Sequence, residues 1–212
     1  MDFIQNIDNA VTSFIFQNWH GNDVINHILG VFTRLGSAGI IWVLFFVGIF
    51  VYTAFKEKRI SVFAIGGIIV LGLGFVLNDY VFKKVFFNVL GFRERPCQMG
   101  AGALTAEEIQ NYLNTYSLTI KTGGSFPSGH SFSSFNCAVY IMLTHKKLGF
   151  VTLPIALIIA FSRVFIGVHF LGDVLVGAIL GTGFGIGMYF ATKAIYKAAH
   201  WGDPEKSFYA TR

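Results

Sequence analysis

Charged side chains are scarce in this 212-residue chain: Asp, Glu, Lys and Arg together make up 13% of it, about half the share usual in soluble domains. With 54% hydrophobic and 17% aromatic residues and a mean hydropathy of +0.61, that scarcity excludes an ordinary soluble domain. Cysteine is nearly absent. Cys97 and Cys137 are too few for a disulfide framework, and Cys137 falls in an apolar run about two helical turns beyond His130, so both read as structural thiols. No carboxylate-rich cluster argues for a two-metal mechanism, and no metal or cofactor is expected. A basic n-region is missing from Met1-Asp2-Phe3, so no cleavable signal peptide is expected. Tandem repeats and low-complexity segments are missing too. The net charge is +5, but most of the basic residues sit at the ends of apolar runs. There they serve topology and anionic headgroups, and a nucleic-acid partner is not expected.

What remains is a set of apolar runs long enough to cross the roughly 30 Å hydrocarbon layer. They cover Ala38 to Phe55, Ile60 to Phe82, Ser128 to His145, Phe150 to Val168 and Asp173 to Lys193, which predicts an all-α integral-membrane bundle of five spans. Residues 3–19 and 22–35 carry apolar side chains at helical spacing among Asn, Gln, Asp and His. They predict amphipathic interfacial helices, with a sixth span as the alternative. Between Arg93 and Gly124 the chain is polar, and Thr105-Ala106-Glu107-Glu108 is a capping-box pattern opening a short helix toward Leu113. Gly177, Gly181 and Gly185 recur every four residues, with Gly183 and Gly187 on a parallel track, a spacing that lets helices approach closely in lipid.

Alternation of the five spans puts Lys56–Arg59, His145-Lys146-Lys147 and the C-terminal Lys193, Lys197, Lys206 and Arg212 on one membrane face. The basic residues there have no chemical task, so the positive-inside rule makes that face cytoplasmic. Lys83, Lys84, Arg93, Arg95, Lys121, His130, Arg163, His169 and Asp173 all fall on the other face. A cationic side chain at a helix centre costs roughly 2.5–3.5 kcal/mol on insertion scales, less near an end. A group of arginines and histidines at one level therefore points to a phosphate-handling site.

Three short blocks carry that site. Pro127-Ser128-Gly129-His130 opens one span; Ser162-Arg163, His169 and Asp173 stand at fixed spacing between the last two; Arg95-Pro96 lies in the polar segment. They resemble the signature of the type-2 phosphatidic acid phosphatase superfamily, K-x6-R-P, P-S-G-H and S-R-x5-H-x3-D. One position departs: seven residues before Arg95 stands Asn88. Lys84 is assigned the role of the missing lysine, since a four-residue insertion adds about one helical turn. Lys83 and Lys121 are the alternatives.

The resemblance implies a metal-independent lipid phosphatase acting through a phosphohistidine. It places residues 36–197 in the phosphatase domain, with 1–35 as the interfacial segment and 198–212 as a cytoplasmic tail. In this scheme His169 is the nucleophile, since a neutral imidazole can attack phosphorus when its other nitrogen is held by an acceptor. Asp173 is that acceptor, and His130 is the acid and then the base. Arg95 and Arg163 hold phosphate oxygens, Lys84 adds a further cation, and Ser128 and Gly129 offer the N-terminus of a helix. Arg93 reads as a headgroup contact, and His20, His27, His145 and His200 are left without a role. The expected partners are a lipid phosphate and membrane lipids, with no obligate protein partner inferred. The expected location is the cell membrane, multi-pass, with the site on the extracytoplasmic side. Undecaprenyl pyrophosphate is the expected substrate. The alternatives are phosphatidylglycerophosphate or phosphatidate, lipid A, phosphotransfer to another lipid, or a non-catalytic lipid-binding role.

Overall fold

Helical spacing begins almost at the first residue, and helices follow it. The computed structural model describes residues 2–20, 22–36, 39–56, 61–119 and 122–199; Lys121 and His200 lie outside them. Helix α1 (Asp2–Trp19) buries Asp8, Thr12 and Ile15 along one stripe. Helix α2 (Asp23–Gly36) buries Asn26, Leu29, Gly30, Thr33 and Gly36 in the same manner, the period expected of a half-covered helix. After α3 (Ile40–Lys56) comes α4 (Val62–Val76), which passes through a π-helical turn, Leu77–Phe82, into α5 (Lys83–Leu90). The polar segment forms α6 (Pro96–Met99) and α7 (Ala106–Thr115), followed by α8 (Gly129–Thr144), α9 (Lys146–Phe165) and α10 (Leu171–Ala198). The capping box at α7 is present: the Glu108 N–H donates to the Thr105 hydroxyl, and the Thr105 N–H donates to the Glu108 carboxylate.

Glycine sets the central packing. Gly177, Gly181 and Gly185 of α10 face the carbonyls of Ser128, Phe132 and Asn136 on α8, where an added Cβ would stand 2.5, 2.2 and 2.6 Å away. No larger residue fits there, so the two helices run in backbone contact, and Asp173 on α10 comes level with Ser128 on α8. Gly183 and Gly187 meet nothing within 4 Å; the parallel track lies on the exposed side of α10. Helix α8 is buried along almost its whole length, enclosed by α4, α9, α10 and part of α3. Trp42, Phe46, Phe63, Val70, Tyr140 and Ile159 form the heart of the core around it. Both cysteines are buried free thiols.

The chain is a multi-pass, all-helical membrane protein. Among the described residues, three helices are long and apolar enough to span: Val62–Leu90 at 29 residues, Lys146–Phe165 at 20 and Leu171–Ala198 at 28. The pair Asp23–Gly36 and Ile40–Lys56, bent by 66°, adds a fourth if it counts as one span. Five to six were expected. The expected spans outside this set are α3 and α8, whose helices have 17 and 16 residues, shorter than the roughly 20 typical of a spanning helix. Helix α8 is sheathed by other helices, so its length is set by its neighbours more than by lipid. Helix α1 packs against α9 and α10, and α2 against α9.

Candidate active site

Two backbone hydrogen bonds tie the three sequence blocks together at one end of the bundle. The Cys97 N–H donates to the Gly167 carbonyl at 2.9 Å, joining the Arg95 block to the turn before His169. The Ser128 N–H donates to the Asp173 carbonyl at 3.0 Å. Gly167 has φ +69°, a left-handed conformation that glycine adopts without strain. It turns the chain so that the His169 N–H returns to the Arg163 carbonyl at 3.2 Å. Extended backbone before α6 points Arg93 and Arg95 inward and leaves Glu94 exposed between them, as a period of two requires.

Arg95 is 5% exposed, and its guanidinium is held by oxygens of other segments. Nε donates to the Gly123 carbonyl at 3.1 Å, Nη2 to that of Gly124 at 2.8 Å and Nη1 to that of Val168 at 2.8 Å. Nη1 also donates to His169 Nε2 at 3.0 Å. A guanidinium has no acceptor atom, so Nε2 must be the unprotonated nitrogen and the ring proton sits on Nδ1. His169 Nδ1 stands 3.5 Å from Asp173 Oδ2, longer than a formed hydrogen bond, and is buried without a hydrogen-bond partner. Distances of this kind commonly tighten once substrate binds. Burial first, and then the charges of Arg95, Arg163 and Lys83, pull His169 well below its ordinary value, opposed only by the Ser125 backbone. The imidazole is therefore neutral at physiological pH.

Arg163 is 3% exposed and donates from Nη1 to the Thr33 hydroxyl of α2 at 2.5 Å, while its Nε is buried without a partner. Arg95 and Arg163 are thus two buried cations held by neutral oxygens. Burial, the largest effect, lowers Arg95 from its ordinary value, and the charges of Cys97, Asp173 and Asp79 oppose that shift. Uncompensated cations of this kind are costly without an anion between them. Their arrangement suits a phosphate group in front of Nε2.

The N-terminus of α8 differs in detail from the expectation. The Ser128 N–H is committed to Asp173, and its hydroxyl caps the helix by accepting from the Ser131 N–H and hydroxyl at 3.4 and 3.2 Å. The donors a helix leaves over at its first two positions belong to Gly129 and His130. Gly129 lies against Asn78, whose Nδ2 stands 2.9 Å from where a Cβ would be. His130 is half-buried at the start of α8 and borders Gly36 at the end of α2.

Lys83 and Lys84 differ in their surroundings. Lys84 is exposed. Lys83 pairs with Asp79 at 2.7 Å, and its charge is the one felt at His169.

Asp8 was not singled out from the sequence, and Arg93 was read there as a headgroup contact. Arg93 donates Nη1 to Asp173 Oδ1 and Nη2 to Asp8 Oδ2, so it is no headgroup contact. Asp8, 2% exposed, also accepts from the Gly172 N–H through Oδ1 at 2.8 Å. The signal was available: Asp8 shares a helical stripe with Thr12 and Ile15, and a carboxylate on the buried face of a helix calls for a cation.

An all-helical membrane bundle with buried, carboxylate-free arginines converging on a neutral histidine defines the class. The profile of the PAP2 superfamily matches residues 67–197, and the chain belongs to this superfamily. A stretch of 57 residues is 44% identical to a bacitracin transport permease protein BcrC of Bacillus licheniformis, covering 27% of this chain and 28% of that one. Another of 78 residues is 40% identical to an undecaprenyl-diphosphatase of Sulfolobus acidocaldarius, covering 34% of this chain and 36% of that one. The matched part thus spans about a third of these relatives or less. The fold is that of a transmembrane PAP2-type phosphatidylglycerolphosphate phosphatase from Bacillus subtilis, with a TM-score of 0.63 at 22% identity over 93% of this chain and 88% of that one.

Proposed function

We propose that the protein hydrolyses undecaprenyl pyrophosphate at the extracytoplasmic membrane surface through a phosphohistidine on His169. The observation that carries this is the pair Arg95 and Arg163, buried with no carboxylate partner among the described residues, beside an imidazole whose lone pair is on Nε2, facing Arg95. Phosphate oxygens replace the carbonyl and histidine contacts of Arg95 and take up the idle Nε of Arg163. The Nε2 lone pair then forms the N–P bond as the P–O bond to the lipid phosphate breaks. His130 gives its proton to the leaving oxygen, and Asp173 stabilises the positive ring through Nδ1. In the second half a water attacks phosphorus, His130 takes its proton, and inorganic phosphate leaves with His169 restored. Positioning and electrostatic stabilisation supply most of the rate in such transfers.

The name of the Sulfolobus relative supports the pyrophosphate. Helix α5 supports a long isoprenoid tail: all its residues are at least partly exposed, and its Phe86 meets Phe126 edge-on at 5.0 Å, next to the Gly123-Gly124 carbonyls that hold Arg95. The Bacillus subtilis fold relative favours phosphatidylglycerophosphate as the second reading. Released phosphate measured for purified protein on undecaprenyl pyrophosphate, phosphatidylglycerophosphate, phosphatidate and a lipid A analogue separates them. The expected result is the highest kcat/KM on the pyrophosphate. A glycerophospholipid at the head of that series overturns the substrate assignment, and a phosphorylated lipid acceptor in place of free phosphate overturns hydrolysis.

A further inference from the structure

Arg93, Asp8 and Gly172 surround Asp173 with contacts that no reaction step uses. The Arg93 guanidinium bridges the two carboxylates of Asp8 and Asp173, donates to the Gln5 side-chain oxygen at 3.1 Å and lies 4.7 Å over the ring of Phe170. Asp173 Oδ2 accepts from the Phe170 N–H at 2.9 Å, while Asp8 holds the Gly172 N–H. The backbone leading into Asp173 is thus fixed from α1, and so is the far oxygen of its carboxylate. We propose that Asp8 and Arg93 are positioning residues for the chemistry, aiming the Asp173 carboxylate at His169 and setting how much of its charge the ring feels.

The inference rests on the reading of Asp173 as the partner of a nucleophilic His169. Arg93 by itself would neutralise Asp173 and weaken it as a partner for the imidazolium. Asp8 on the other edge of the same guanidinium divides that positive charge, so the three side chains together carry a single negative charge. The division works because all three are largely shielded from water, Asp8 at 2% and Asp173 at 0% exposure, where such charges act strongly on each other. Arg93 spends both edges on protein oxygens, and so contributes to turnover and little to binding.

The test compares Arg93→Gln, Arg93→Lys, Asp8→Asn and the double variant Asp8→Asn/Arg93→Gln in the full chain, with His169→Ala as reference. The readouts are kcat and KM on the best lipid of the panel. Arg93→Gln leaves two buried carboxylates with no cation between them, and kcat should fall about tenfold or more with KM within about twofold, a coupling of the size found for charges in one network. Arg93→Lys should retain most of the activity. The double variant restores the net charge of the parent cluster and should recover most of the lost kcat. Losses in the double variant that equal or exceed the product of the single losses overturn the proposal, as does an effect confined to KM. If Arg93→Gln does not fold, Asp8→Asn decides: kcat several-fold lower at unchanged KM supports the proposal, and unchanged kcat overturns it. Turnover by His169→Ala removes the underlying reading. An inactive His169→Ala beside parent-like Asp8 and Arg93 variants removes only this inference.

Discussion

Arg93 and Arg95 stand two residues apart on one extended strand of backbone, yet the halves of the site built around them are opposite in kind. Around Arg93 the cation meets acids: two carboxylates share one guanidinium, and the Gly172 N–H donates to that of Asp8. Around Arg95 the contacts are carbonyls and a histidine nitrogen, with Arg163 adding like charge nearby. The first half is closed and holds the parts in place. The second carries uncompensated positive charge and has room in its hydrogen bonding for an anion. A buried arginine is thus a ligand site or a brace according to whether acids or neutral oxygens meet it.

Exchange of the two arginines for lysine breaks the comparison most sharply. Arg95→Lys removes the planar fork that phosphate recognition uses and is expected to lower kcat/KM about a hundredfold. Arg93→Lys keeps a cation between two carboxylates and should cost much less. Equal losses in phosphate-release assays would mean that the two halves are not distinct.

A smaller effect sharpens the open half. Lys83→Ala should lower kcat/KM about tenfold, equivalent to about 1.4 kcal/mol of transition-state stabilisation, whereas Lys84→Ala should leave it within about twofold. The same phosphate assay checks both, and a reversed order would return the role to Lys84.

The open half was legible in the sequence because its residues are arranged by local spacing. His169 and Asp173 are four apart around a turn, and Ser128, Gly129 and His130 start a helix. The stripe of Gly177, Gly181 and Gly185 likewise announced the contact that brings α8 and α10 level. The closed half was not legible. Asp8 and Arg93 are separated by 85 positions, and neither lies in a motif; only the placement of α1 against the start of α10 joins them.

The most direct test follows the phosphoryl group itself. Full-length protein mixed with substrate carrying a radiolabelled terminal phosphate and quenched in alkali within a turnover should hold label on one peptide, at His169, stable to base and released by acid. His169→Ala should hold none, and His130→Ala should accumulate more by losing the base for hydrolysis. Label on another residue, or turnover with no labelled protein at any quench time, would contradict the account.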